Sequence, residues 1–245
     1  MRTSFVGNRH IFGILLITMA IVCGTIDATA QSAVKPLTFD SKKMPKPSGA
    51  WTFVHSDNGE VIAAENGLSL APAVGTNLFL APDGNFNVVN APMVLFAPEG
   101  DFTFKAKMSA QLQNVYDVGA LVVMEDDQHW AKLCFENSAR QEATIVSVVT
   151  RERSDDSNSE TIASPFIYMA IARKGNEFSM HFSRDGVQWR LARHFQLQTS
   201  SKLRLGFAAH TVSNPHFAAT FSEIVYRASA PKNMRQLEPA DVVNQ

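Results

Sequence analysis

Asp101-Phe102-Thr103-Phe104-Lys105-Ala106-Lys107-Met108 alternates strictly, with Phe102, Phe104, Ala106 and Met108 on one side and Thr103, Lys105 and Lys107 on the other. Successive side chains of an extended chain point to opposite faces, so this stretch reads as a strand with one face in a core. The same period recurs at Glu177–Ser183, where Phe178, Met180 and Phe182 oppose Ser179, His181 and Ser183. It recurs again at Lys202–Phe207, where Leu203, Leu205 and Phe207 oppose Lys202, Arg204 and Gly206. After residue 31 no stretch sustains a helical stripe over three turns. Lys174-Gly175-Asn176 and Arg184-Asp185-Gly186 are hairpin signals, because Gly and Asn tolerate positive φ. Glu125-Asp126-Asp127-Gln128 is a polar reversal between two apolar runs, and Ala-Pro at 71, 81, 91 and 97 marks strand ends. About a dozen short strands so punctuated predict an all-β fold, an antiparallel two-sheet sandwich or jelly roll.

The flanks read differently. Arg2 and Arg9 precede the apolar run Ile11–Gly24, and Ala28-Thr29-Ala30 follows, so residues 1–30 carry the pattern of a signal peptide cleaved after Ala30. The run is shorter than the roughly 20 residues that span a bilayer, so no membrane anchor is expected after cleavage. A secreted or periplasmic protein is the expectation. Residues 31–50, with Lys42, Lys43, Pro45, Lys46 and Pro47, read as a linker. Residues 51–227 form the expected sandwich, and 228–245, with Pro231 and Pro239 and no period, read as a loose tail.

The 245-residue chain is 45% hydrophobic and 18% charged, apolar enough to bury a core. Its formal net charge of −1 gives no electrostatic reason to expect nucleic acid as a partner. Cys134 stands alone after residue 30, between Leu133 and Phe135, and reads as a packed thiol rather than a nucleophile.

From about Gly67 to Tyr226 the order of motifs resembles the family called domain of unknown function 1349, within the concanavalin A-like lectin/glucanase superfamily. The resemblance is carried by Gly100-Asp101-Phe102-Thr103, Tyr116-Asp117-Val118-Gly119-Ala120-Leu121 and Trp130-Ala131-Lys132-Leu133-Cys134-Phe135-Glu136. It continues through Ser147-Val148-Val149-Thr150 with Ser154-Asp155, Phe182-Ser183-Arg184-Asp185-Gly186-Val187-Gln188-Trp189 and Gly206-Phe207-Ala208-Ala209. The family includes fungal regulation-of-enolase proteins. The resemblance implies a jelly roll of two curved sheets, with sugars bound on the concave face in superfamily relatives. This chain departs from the family pattern in having Asn77 for Asp, Val118 for Gln and Asp156 for Trp.

The strand Trp130–Glu136 is the richest candidate. With Ala131, Leu133 and Phe135 facing the core, Trp130, Lys132, Cys134 and Glu136 share the other face. Indole stacks on the apolar face of a pyranose, and charged groups bind its hydroxyls. Lys132 and Glu136 stand about 13 Å apart along the strand, so each needs a partner elsewhere or a ligand. Ser147, Thr150, Tyr116 and Asp117 are expected to line the same sheet, with Asn77, Ser154 and Asp155 at its rim. The alternative is that Trp130 closes the core and Lys132 and Glu136 belong to a structural network.

Two other readings compete. Glu125, Asp127 and His129 echo the acidic set of jelly-roll glucanases but fall on a turn, without the third acid hydrolysis would use. Asp156, Asn158 and Glu160 offer alternating oxygen donors that could take Ca²⁺, without the glycine of a recognised calcium loop. The expectation is therefore a binding domain without catalytic residues, for glycan or polysaccharide. A protein-interaction module is the alternative, and a glycoside hydrolase or lyase a further one.

Overall fold

The structure, a computed structural model, describes residues 34–36, 44, 50–64 and 66–243. Residues 1–30, expected to be a signal peptide, and the expected cleavage point lie outside the described residues.

In chain order the strands begin with β1 (Val34–Pro36), β2 (Thr52–Val54), β3 (Gly59–Ala64), β4 (Gly67–Pro72), β5 (Leu78–Leu80) and β6 (Asn87–Val89). They continue with β7 (Met93–Phe96), β8 (Phe102–Ser109), β9 (Val118–Met124), β10 (His129–Asn137), β11 (Ala143–Arg151) and β12 (Arg153–Thr161). The last five are β13 (Phe166–Lys174), β14 (Glu177–Ser183), β15 (Arg190–Gln196), β16 (Arg204–His210) and β17 (Ala219–Arg227). One sheet has the order β1-β2-β7-β16-β9-β10-β11-β12, and the other β15-β14-β13-β8-β17-β4-β3. Strands β5 and β6 form a separate hairpin. All named pairings are antiparallel, as the alternation and the hairpin signals require.

The core lies between the sheets. Phe102, Phe104, Ala106 and Met108 enter it from β8, and Ala131, Leu133 and Phe135 from β10, on the faces the alternation assigns. Phe207 is its aromatic hub: its ring stacks on Trp51 at 5.8 Å and meets Phe104 at 5.3 Å and Phe221 at 4.5 Å. Gly119 allows close approach here, since a Cβ would lie 2.1 Å from Met108 Cε.

Two expectations change. The eight-stranded sheet is covered on its outer face as well. Val118, Ala120, Val122 and Met124 of β9 and Val146 and Val148 of β11 form a second apolar cluster with Leu78 and Leu80 of the β5–β6 hairpin. Every residue of β9 is therefore buried, which a continuous Val/Leu/Met run reflects better than alternation does.

The segment 228–243 is not a loose tail. Leu237 and Val242 are buried against Ala170 and Trp189 on the outer face of the seven-stranded sheet, and Arg227 binds the Ala240 carbonyl. His181, expected on a polar surface face, lies buried beneath it, with Nε2 3.0 Å from Ser179 Oγ and 3.2 Å from the Met234 carbonyl. Part of the expected linker is ordered too: β1 pairs with β2, and Met44 is buried.

Burial depresses the His181 pKa to about 4, so the folded state holds the neutral ring and the unfolded state binds the proton more readily. Its contribution to stability is complete above the ordinary histidine pKa of about 6.5 and is lost as pH falls toward about 4. Denaturant midpoints are expected to drop across that window, and His181→Gln to flatten the drop. Leu237→Ala is expected to cost about 2–3 kcal/mol and to shift Trp189 emission to the red, read by fluorescence-monitored unfolding.

Candidate functional site

The register of β16, β9, β10, β11 and β12 fixes what stands on the outer face of the eight-stranded sheet. One row runs Gly206, Val122, Lys132, Val148, Asp156. The next runs Ala208, Ala120, Cys134, Val146, Asn158, and a third holds His210, Val118 and Glu136. The middle row is small at Ala208 and Ala120, which leaves room for the Lys132 side chain to cross it. Lys132 Nζ donates to His210 Nε2 at 3.0 Å.

A cavity of about 410 Å³ opens over these rows. Lys132, Glu136 and His210 line it together with Val146, Val148 and Asp156. Phe79 and Asn77 contribute from the start of the β5–β6 hairpin, Phe86 from its tip, and Tyr116 and Val212 from the loops beside β9 and β16. Phe86 is 45% exposed and Tyr116 42%, so two rings face solvent across the opening. Asn77 is held by its own side-chain oxygen, which accepts from the Leu78 amide at 2.8 Å. Its backbone amide donates to Asn90 Oδ1 at 2.8 Å, and its side-chain Nδ2 has no hydrogen-bond partner among the described residues.

Tyr116 is placed by strain and by its neighbour. It adopts φ 65°, unusual for a tyrosine, and its amide donates to the Asn137 carbonyl at 2.7 Å. Asp117 behind it is fully buried. Its carboxylate accepts from Thr211 Oγ1 at 2.7 Å, Asn214 Nδ2 at 2.8 Å, and the Asn114 and Gln113 amides at 2.9 and 3.1 Å. Asp117 therefore clamps the loops that carry Tyr116 and Val212, rather than contacting a ligand.

The electrostatics are unusual. Burial pushes the Glu136 carboxyl up to about 7, with Asp156 adding to the rise and Lys132 opposing it. Among the described residues Glu136 makes no hydrogen bond or ion pair. Burial, together with Lys132, holds His210 well below the usual histidine range. A neutral His210 accepting at Nε2 carries its proton on Nδ1, a buried atom without a partner among the described residues. Burial raises the Cys134 thiol to about 12, as a packed thiol requires.

Several expected site residues stand elsewhere. Trp130 is on the predicted face but fully buried in the outer-face cluster, with Nε1 donating to the Asp127 carbonyl at 3.2 Å. It cannot stack on a sugar; its ring faces Lys132 Nζ at 5.9 Å instead. Ser147 sits opposite Leu133, hence on the inner face, where its hydroxyl is buried. Thr150 and Ser154 bond each other at 2.9 Å, and Ser154 Oγ accepts from the Leu80 amide at 3.0 Å, so both anchor the hairpin. Asp155 pairs with Arg193 at 2.9 Å.

The proposed calcium loop is strand β12, and its Glu160 is engaged by Arg184 and Arg190. Among the described residues no group of three His, Cys, Asp or Glu side chains is placed to hold a metal. Of the acidic echo, Glu125 accepts from the Ser200 amide at 3.0 Å and His129 pairs with Asp126, and none of Glu125, Asp127 and His129 lines the cavity. Sequence reasoning missed Phe79, Phe86, His210 and Val212. Phe79 lies two residues after Asn77, but nothing in the local pattern of the others points to this face.

These features define an antiparallel jelly-roll sandwich with an aromatic-walled cavity on the outer face of its eight-stranded sheet. Residues 56–229 match the family model described as protein of unknown function, DUF1349, and the chain belongs to that family. No curated protein sequence matches the chain. In structure it is similar to a functionally unknown protein from Saccharomyces cerevisiae, with TM-score 0.64 and 21% identity over 76% of this chain and 97% of that one. It is also similar to the GH43B protein of a Bacteroides ovatus xyloglucan locus, with TM-score 0.57 and 14% identity over 75% of this chain and 40% of that one. A GH43 protein from Bacillus licheniformis gives TM-score 0.54 and 13% identity over 73% of this chain. The match spans only 36% of that protein's length.

Asp117→Ala is expected to cost about 3 kcal/mol or more, since it strips four donors of a buried charged acceptor. Thermal unfolding checks this. Trp130→Ala is expected to cost about 3–5 kcal/mol, the loss of a core aromatic rather than of a contact surface.

Proposed function

We propose that this is an exported, non-catalytic binding protein that takes a glycan in the outer-face cavity of its eight-stranded sheet. The observation that carries this reading is the cavity itself. Exposed rings at Phe86 and Tyr116 line it together with hydrogen-bonding groups at Lys132, Glu136 and Asn77. Its volume of about 410 Å³ suits a small-molecule site of one or two sugar rings. Rings contact the apolar faces of pyranoses, and fixed polar groups choose among their hydroxyls. The signal-peptide pattern of residues 1–30 supports export. The fold shared with glycoside hydrolases accords with the reading.

The test is binding of the purified protein to a broad glycan and polysaccharide array, followed by calorimetry on any hit. Phe86→Ala removes an exposed ring, so the fold should be unchanged and affinity should fall by about tenfold. Silence across the array would move the assignment to a protein partner.

A further inference from the structure

We propose that the glycan is an acidic one, whose uronate carboxylate is received at the cavity floor by Lys132 and Glu136. This rests on the glycan reading and names its ligand class. Lys132 is 3% exposed, yet its ammonium has only uncharged partners, the His210 ring and the face of Trp130. No carboxylate among the described residues lies in ion-pair range of it. A buried cation without a counter-ion is costly, and an entering carboxylate would relieve that cost. The alternative anion inside the site is Glu136, but burial favours its neutral form. A protonated Glu136 is a donor, and a ligand carboxylate is the acceptor it would best satisfy.

The other groups around Glu136 fit this assignment. On its own strand stand Lys132 and the thiol Cys134, on β16 the neutral His210, and beside β9 the Tyr116 hydroxyl. From β11 only Val146 and Val148 face the cavity. Among the described residues Asp156 on β12 is the one adverse charge, exposed at the rim and facing water. Burial keeps Lys132 dominant over it for a ligand group seated at the floor, because exposed charges are screened.

The experiment is calorimetric titration of the protein with oligogalacturonate, oligoglucuronate and alginate oligomers, each beside its methyl ester or reduced neutral form. The acidic oligomer should bind about tenfold or more tighter than its neutral counterpart. Its affinity should fall about tenfold between about pH 6 and about pH 8.5, as Glu136 loses its proton. Glu136→Gln should hold affinity near its low-pH value throughout, and Asp156→Asn should tighten binding. Lys132→Met should abolish the preference for the acid, so that acidic and neutral oligomers bind alike; circular dichroism reports whether this variant is folded. Equal or tighter binding of the neutral forms, with no pH dependence, overturns the acidic assignment and leaves the glycan reading standing. If no acidic or neutral glycan binds, both fall together.

Discussion

Strands β9, β10 and β11 must bury both of their faces, and much of the molecule follows from that requirement. Their inner faces meet the second sheet, and their outer faces carry Val118, Ala120, Val122, Met124, Val146 and Val148, too apolar to leave in water. The β5–β6 hairpin folds over one end of that surface, with Leu78 and Leu80 as its contacts. Ser154 ties the hairpin down by accepting from the Leu80 amide. The uncovered remainder becomes the cavity. Its depth is set by how far the hairpin reaches, and its walls are the hairpin's own rings at Phe79 and Phe86.

Within that apolar setting a charged side chain is conspicuous. Lys132 could be tolerated only where its stem packs and its head finds an acceptor, and the small residues Ala120 and Ala208 open the route to His210. The same low-polarity surroundings account for the raised Glu136 and the silent His210. One environment shifts an acid up and a base down, so below about pH 7 the cavity floor holds little charge beyond one ammonium.

The strands were readable because period-two alternation is a local property, and residues 102–108 suffice to place four side chains in the core. The placement of Lys132 and Glu136 on one face was equally local. What escaped was contact between distant segments. Trp130 was put on the correct face, but nothing near it in sequence shows that the hairpin 78–89 covers that face. Ser147 shares a quoted motif with Thr150 yet points inward, because its odd offset from Thr150 places it on the other side of β11. The segment 228–243 lacks any period because it crosses a sheet as a strap, each buried residue found by tertiary fit rather than by repetition.

That strap also constrains the order in which the molecule can be completed. Both sheets are assembled by residue 227, but the outer face bearing His181 and Ala170 closes only when Met234, Leu237 and Val242 arrive. Without residues 228–243 the seven-stranded sheet would display an apolar strip at Ala170 and Trp189 on an otherwise finished sandwich. The strap is thus a lid on the sandwich's own apolar surface, and it is held by few side chains of its own.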